Sequence, residues 1–296
     1  MQQVLVTGGS GQVGSALKRL AQDDFELIMP GRTEFDLTDA HSIATMVASR
    51  PWAAVINAAA YTAVDKAESD VVAAWQTNGL APAAFAATTR SAGIPLLHVS
   101  TDYVFDGTKP GFYGEDDPVG PVGVYGASKE AGEQAVRTAN PHHIILRTAW
   151  VVSPDGANFI KTMLRLGADR PELRVVGDQH GCPTSADDIA RTLLVLLRAA
   201  MSEAPVWGTY HFVNGGEATW HELAEAVFAR AADHGRPQPR VTAITTADYP
   251  TPARRPANSR LATAKLQRDF GITPRPWRDA IDAIVDQLLS KEREGA

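Results

Sequence analysis

Cysteine is nearly absent: Cys182 is the only one in 296 residues. One thiol cannot build an intramolecular disulfide framework, and no Cys-x-x-Cys or His-Glu-x-x-His spacing offers a redox dithiol or a zinc site. A reducing, cytoplasmic setting is expected. Long apolar runs are missing too. None approaches the ~18 residues of a membrane span, and Met1-Gln2-Gln3 opens directly into a strand pattern without a basic and then apolar leader, so no membrane contact is expected. Positive charge is not in excess: 28 Lys and Arg stand against 34 Asp and Glu, a formal charge of −6. That balance gives no basic field for a nucleic-acid backbone. What is present is 44% hydrophobic residues, too many for a disordered chain and, at this length, enough for two ordinary domains with a sizeable core.

Short β-rich runs alternate with helical patterns through the first half. The runs are Val4-Leu5-Val6-Thr7, Glu26-Leu27-Ile28-Met29, Ala53 to Asn57, Pro95 to Val99 and His143 to Arg147. Nearly continuous Val, Ile and Leu implies burial on both faces, hence a parallel sheet with helices above and below. The spacing predicts a doubly wound α/β domain over 1–149. Between the runs, Ser42 to Ser49 follows a Thr38-Asp39 cap signal, and the Ala-rich segment Val71 to Ala92 reads as helix despite Pro82. After Ala149 the rhythm changes, with a Pro-rich tract from Arg236 to Pro256. Residues 150–184 and 205–296 are predicted to form a smaller, substrate-binding unit. Ile189 to Met201 is apolar enough for about 185–204 to pack back on the first sheet, and Trp220 to Ala232 reads as an amphipathic helix. The charged tail Lys291 to Glu294 reads as a fraying helix end.

Gly8-Gly9-Ser10-Gly11-Gln12-Val13-Gly14 follows the first strand and opens a helix. Glycines at 8, 11 and 14 permit a tight turn and close backbone approach, so that a helix N-terminus can meet a pyrophosphate. A dinucleotide is therefore expected against Gly8, Gly11, Gln12, Val13 and Gly14. After the second strand, Met29-Pro30-Gly31-Arg32 stands where a ribose-binding carboxylate is usual in NAD enzymes. Arg32 can neutralise a 2′-phosphate, which favours NADPH and leaves NADH open. Asp36 and Leu37 follow as further contacts for the ribose or adenine. Ala60, Tyr61 and Thr62, after the third strand, are expected to wall the cofactor.

Tyr125 and Lys129 are four residues apart on a helical pattern, hence on one face. A phenol with a reference pKa near ~10 is a poor acid–base group at neutral pH, but an adjacent ammonium stabilises phenolate and lowers that pKa. Tyr125 is expected to exchange a proton with a substrate oxygen. Thr101, at the carboxyl end of the fourth strand, can hydrogen-bond the same oxygen, whereas Ser100 reads as a strand or turn cap.

These segments, with Asn57 to Glu68 and Ser100 to Gly107, resemble the extended short-chain dehydrogenase/reductases, and among them the dTDP-4-dehydrorhamnose reductases. Arg147 to Val151, Asn158-Phe159, Asp178 to Thr184 and Tyr249 to Ser259 fit the same family, so the likeness runs nearly end to end. It implies a Rossmann fold and NADPH- or NADH-dependent reduction of the C4 ketone of dTDP-4-dehydro-L-rhamnose to dTDP-L-rhamnose. Thr101, Tyr125 and Lys129 fall on the family's catalytic positions. Tyr125 would donate the proton, Lys129 hold the nicotinamide ribose and tune Tyr125, and Thr101 stabilise the oxyanion. Thr101, Asp102 and Trp150 match positions that contact the sugar nucleotide.

A nucleotide sugar carries a pyrophosphate, and the Arg254-Arg255 forks suit phosphate oxygens. Asn158 is a further candidate contact, whereas Phe159 and Cys182 read as packed residues. Some family members form dimers around magnesium held by glutamates, one of them just after the glycine loop; Ser15-Ala16 stands there, so no metal is predicted and a homodimer is left open. Two alternatives accompany this reading. One is another nucleotide-sugar ketoreductase or an epimerase, which would retain its cofactor. The other is a non-catalytic NADP-binding subunit like the family's regulatory partner of methionine adenosyltransferase, which would need neither the Thr-Tyr-Lys set nor the arginine pair.

Overall fold

The computed structural model describes residues 1–21 and 25–294, the side chains of 291–294 excepted. Strand β1 (Gln2–Thr7) runs through the glycine turn into α1 (Gln12–Leu20), followed by β2 (Phe25–Ile28), α2 (Ala40–Ala48) and β3 (Ala54–Asn57). Short helices α3 (Val64–Ala67) and α4 (Val71–Trp75) lead through a π turn at Gln76–Leu80 into α5 (Ala81–Ala92). Then come β4 (Leu96–Thr101), a 3-10 turn at Asp102–Val104, α6 (Val124–Ala139) and β5 (His143–Thr148). The second half holds β6 (Val151–Val152), α7 (Phe159–Asp169), β7 (Glu172–Val176), β8 (His180–Gly181), β9 (Thr184–Ser185) and α8 (Ala186–Ala200). It closes with β10 (Gly208–His211), β11 (Ala218–Thr219), α9 (Trp220–Asp233), β12 (Arg240–Ile244), α10 (Ala264–Phe270) and α11 (Trp277–Glu294).

Strands β10-β5-β4-β3-β1-β2 form one six-stranded sheet in that order, every pair parallel. The chain steps from β1 outward to β2 and then back across to β3. Helices on the two sides of that reversal cover opposite faces and leave a crevice above the carboxyl ends of β1 and β3, where open α/β sheets bind ligands. Alternation within β1 explains why the strand is apolar throughout: Val4 and Val6 join the core under α1 and α8, and Leu5 joins the core under α2 and α5. This is the doubly wound Rossmann arrangement.

The segment 71–92 is helical as its Ala content suggests, but broken by the π turn. Pro82 falls in the first turn of α5, where its missing N–H costs nothing. Asp39 caps α2, accepting from His41 N at 2.9 Å. Helix α8 packs along α1, its Ile189, Leu193 and Leu197 fully buried. Residues 208–211 depart from the expected grouping with the smaller unit. They form the sheet's edge strand, because Tyr210 and Phe212 are buried in the same core as α8, and α10 follows them through Leu266 and Phe270. A separate core gathers α7, α9 and α11 around Ile160, Leu223, Phe228 and Ile281, with β7 and β12 paired beside it. Among the described residues no helix is long and apolar enough to cross a membrane.

Candidate active site

The chain turns immediately after β1. Gly8 has φ 75°, a region glycine enters without strain. Gly14 packs so tightly on the turn that a Cβ would stand 2.2 Å from the Gly8 carbonyl oxygen. Gly11 is the N-cap of α1, with no side chain to cap it and no acidic residue in the first turn. The N–H groups of Gln12, Val13 and Gly14 lack intrahelical partners, and no local carboxylate competes for them, as an anion site requires. Beside the turn, Thr7 Oγ1 donates to Asn57 Oδ1 at 2.6 Å and accepts from Ala59 N at 3.2 Å, and Asn57 Nδ2 lies 3.2 Å from His98 Nδ1. The ends of β1, β3 and β4 are thereby fixed in register.

Along this crevice the other expected cofactor residues take different positions. Arg32 is exposed just beyond β2. Asp36 is exposed, but its Oδ1 accepts from both Thr38 N and Thr38 Oγ1 at 2.8 Å, which holds the carboxyl below its usual range. Leu37 is partly buried against the α2–α5 core. Ala60 and Tyr61 line the wall, with Thr62 exposed at its lip. Asn78, in the π turn, clamps that wall: its Oδ1 accepts from Tyr61 N at 2.8 Å, and its Nδ2 donates to Tyr61 O and to Ser128 Oγ, both at 3.1 Å. Sequence reasoning missed Asn78; one polar residue inside an Ala-rich helical run was its only signal.

Thr101, Asp102, Tyr125 and Lys129 come together, all buried. Gly126 lets α6 approach the turn after β4, where a Cβ would lie 2.2 Å from Tyr103 O. Thr101 Oγ1 donates to Asp102 Oδ1 at 2.9 Å, while Asp102 Oδ2 is buried without a hydrogen bond. Burial pushes Asp102 up to about 6, opposed by the neighbouring Ser259 and Thr101 hydroxyls. Lys129 Nζ donates to Val99 O at 2.8 Å, and burial pushes it down to about 8, with the Glu133 carboxylate opposing.

Tyr125 corrects the expectation of an acidified phenol. Burial raises it to about 12; the Thr101 hydroxyl opposes that shift and the Asp102 charge adds to it. Lys129, which donates to Val99 O, is not among the groups that act on it. Beneath Lys129, a network invisible in the sequence surrounds Glu133. Its fully buried carboxylate accepts from Arg147 Nη2 at 2.7 Å and Arg137 Nη1 at 2.7 Å. Burial raises its pKa, but the Arg147 hydrogen bonds hold it below the usual range.

On the substrate side, Trp150 overlooks the crevice with φ 45°, the only positive φ outside glycine among the described residues. Its ring stacks on Trp220 at 3.6 Å and 8°, and Gly181 makes room for it, since a Cβ there would lie 2.3 Å from the indole. Asn158 is committed locally. It caps α7 through Lys161 N and donates to Ser153 O at 2.6 Å and Gln12 Oε1 at 3.1 Å, so its amide braces α7 against α1. Arg254 is exposed. Arg255 is not free either: it forms a bidentate pair with Asp65 at 2.9 and 3.2 Å. Cys182 is fully buried, and burial pushes its thiol up to about 12, the state of a packed residue.

The model of the RmlD substrate binding domain family matches residues 1–290. A dTDP-4-dehydrorhamnose reductase of Sinorhizobium fredii is 45% identical over 294 residues, covering 99% of each chain. One from Burkholderia thailandensis is 43% identical, over 98% of this chain and all of that protein. Among solved structures, a Clostridium acetobutylicum dTDP-4-dehydrorhamnose reductase superposes with a TM-score of 0.91 at 35% identity, covering 97% of this chain and 99% of that one. A Bacillus anthracis dTDP-4-dehydrorhamnose reductase in complex with NADP superposes at 0.90 with 31% identity, covering 97% and 100%. The glycine cradle, the buried Thr-Tyr-Lys cluster and this end-to-end likeness agree: the chain belongs to the dTDP-4-dehydrorhamnose reductase family.

Proposed function

We propose that this chain reduces the C4 ketone of dTDP-4-dehydro-L-rhamnose to dTDP-L-rhamnose with NADPH. The observation that carries the reading is the convergence of buried Thr101, Tyr125 and Lys129 at the carboxyl end of β4, on the same sheet edge as the glycine turn of β1 and one strand removed from it. The turn suits a dinucleotide, since Gly8 and Gly14 let the backbone of the turn pack without side chains and leave the N–H groups of the first turn of α1 uncapped for a pyrophosphate. Gly8, Gly11, Gln12, Val13 and Gly14 would hold the pyrophosphate, and Arg32 the 2′-phosphate, with Asp36 and Leu37 toward the adenosine. Ala60, Tyr61 and Thr62 would line the nicotinamide half. When bound, NADPH supplies the hydride.

The chain's own groups manage the oxygen. Tyr125 would hydrogen-bond the ketone, joined by Thr101 once its one hydroxyl proton turns from Asp102, and Tyr125 would give its hydroxyl proton to that oxygen as it becomes an alcohol. A phenol pushed up to about 12 is fully protonated at neutral pH, the state a donor needs in the reductive direction. Lys129, which does not act on the Tyr125 phenol here, is assigned to the cofactor instead. Its ammonium keeps donors beyond the Val99 bond for a ribose hydroxyl. Asp102, buried at the same strand end, would accept a sugar hydroxyl, and Trp150 would offer an aromatic face to the ring.

The test is NADPH consumption with dTDP-4-dehydro-L-rhamnose and with its UDP counterpart, with product analysis. One alcohol formed per NADPH oxidised, faster with the dTDP sugar, supports the reading. Tightly retained NAD with no net NADPH consumption would point to an epimerase and overturn it.

A further inference from the structure

Segment 251–259 runs as a strap between the two sides of the crevice. Pro252 and Pro256 preset φ within it, and it bends at 252–253 and at 257. On the second-unit side, His180 N donates to Ala257 O at 2.9 Å and Ser259 N donates to His180 O at 2.7 Å. On the side of the strand ends, Asn258 Nδ2 donates to Lys109 O at 2.6 Å and to Gly111 O at 2.7 Å. Pro256 approaches Gly107 so closely that a Cβ on the glycine would meet it at 2.5 Å. The remaining tie is Asp65 in α3. Its carboxylate accepts Arg255 Nη2 at 2.9 Å, Arg255 Nη1 at 3.2 Å and Ala253 N at 3.3 Å.

We propose that Asp65 and Arg255 form a latch that registers this strap against the cofactor-facing loop, so that Arg255 positions the sugar-nucleotide site instead of ligating its phosphates. The inference rests on the reductase reading and adds two residues to it. Three features argue for a latch. The guanidinium fork is already spent on a matching carboxylate, and its Nη1 also donates to Thr251 Oγ1 at 2.5 Å. A pyrophosphate taking Arg255 would have to break these bonds and would then lie beside the Asp65 charge, a like-charge contact. Arg254, by contrast, is exposed and free of ion pairs among the described residues, which leaves its guanidinium available to a phosphate.

The third feature is where the latch leads. Segment 61–70 holds Tyr61 through Asn78, and its Glu68 Oε1 accepts Val124 N at 2.8 Å, fixing the first turn of the helix that carries Tyr125. Arg255 also acts on the Tyr103 hydroxyl, and the Tyr103 ring packs edge-on against Tyr125 with centroids 5.4 Å apart. Strap, cofactor loop and proton donor therefore share one set of contacts.

The experiment uses Asp65→Asn, Arg255→Asp and the exchanged pair Asp65→Arg/Arg255→Asp, with NADPH oxidation and calorimetric dTDP binding as readouts. A latch predicts that each single variant raises the sugar-nucleotide KM by about tenfold, the scale of one lost charge-assisted fork. The exchanged pair should recover most of that loss, because an ion pair of opposite polarity closes the same contact. If Arg255 is a phosphate ligand restrained by Asp65, Asp65→Asn leaves KM unchanged or lowers it, and the exchanged pair is no better than Arg255→Asp alone; either result overturns the latch. An inactive wild-type chain defeats the reductase reading separately, and the dTDP affinities of the same variants still decide between latch and ligand.

Discussion

At the scale of single residues, the chemistry rests on groups whose charge states are set by burial. The spacing of Tyr125 and Lys129 was legible in the sequence because helical periodicity is local. The direction of their pKa shifts was not, because desolvation depends on everything packed around them. Tyr125 moves up and Lys129 moves down, both toward their neutral forms. For Lys129 the folded pKa lies below the unfolded value, so burying its charge opposes folding. That penalty is fully present below about pH 8 and vanishes as pH rises past 10.5. Lys129→Met should therefore lose turnover yet raise stability at pH 7 by about 2 kcal/mol, after allowing for the hydrogen bond lost at Val99. The gain should shrink between pH 8 and 10.5. Urea unfolding across that range checks the sign; a variant less stable than wild type at pH 7 would mean that the ammonium is well satisfied. Asn158 and Arg255 carry the complementary lesson. Their chemistry suits a nucleotide ligand, but neighbours far away in sequence, Gln12 and Asp65, already occupy them.

At the scale of elements, the site is the junction of two strand ends with two helix starts. The glycine pattern was readable because a strand-to-helix turn that admits backbone so closely leaves no room for side chains. Gly14 makes the clearest case, for its missing Cβ would collide with a carbonyl oxygen at 2.2 Å. Gly14→Ala should push the turn outward, weakening NADP binding by at least tenfold and costing about 1–3 kcal/mol of stability, as overpacking does. Calorimetry and thermal unfolding measure both effects, and unaltered NADP affinity would remove the turn from the cofactor site. The π turn at Gln76–Leu80 was not readable, since its purpose is tertiary. It presents Asn78 to the Tyr61 backbone and brings the Asn78 carbonyl against Gly132 of α6, where a Cβ would lie 2.1 Å away. Likewise, Gly208–His211 is too short and mixed to announce an edge strand. Its place became evident only from β5, which it extends in parallel register.

At the scale of the molecule, the doubly wound sheet was legible from the alternation of apolar runs and helices, but the division into units was only partly so. The chain crosses the crevice repeatedly: α8, β10 and α10 return to the first core, and the 251–259 strap returns to its rim. A composition change marks where a pattern ends, not which core a later segment rejoins. On the proposed reading, the whole arrangement encloses a ketone between a reductant and the protonated Tyr125 phenol. The most direct test compares NADPH oxidation by the wild-type chain and Tyr125→Phe with dTDP-4-dehydro-L-rhamnose, while NADP affinity is measured on both. Loss of turnover by about a hundredfold or more, the scale of general-acid catalysis, with NADP affinity unchanged, is expected. Wild-type turnover from Tyr125→Phe would contradict the assignment of Tyr125 as the proton donor.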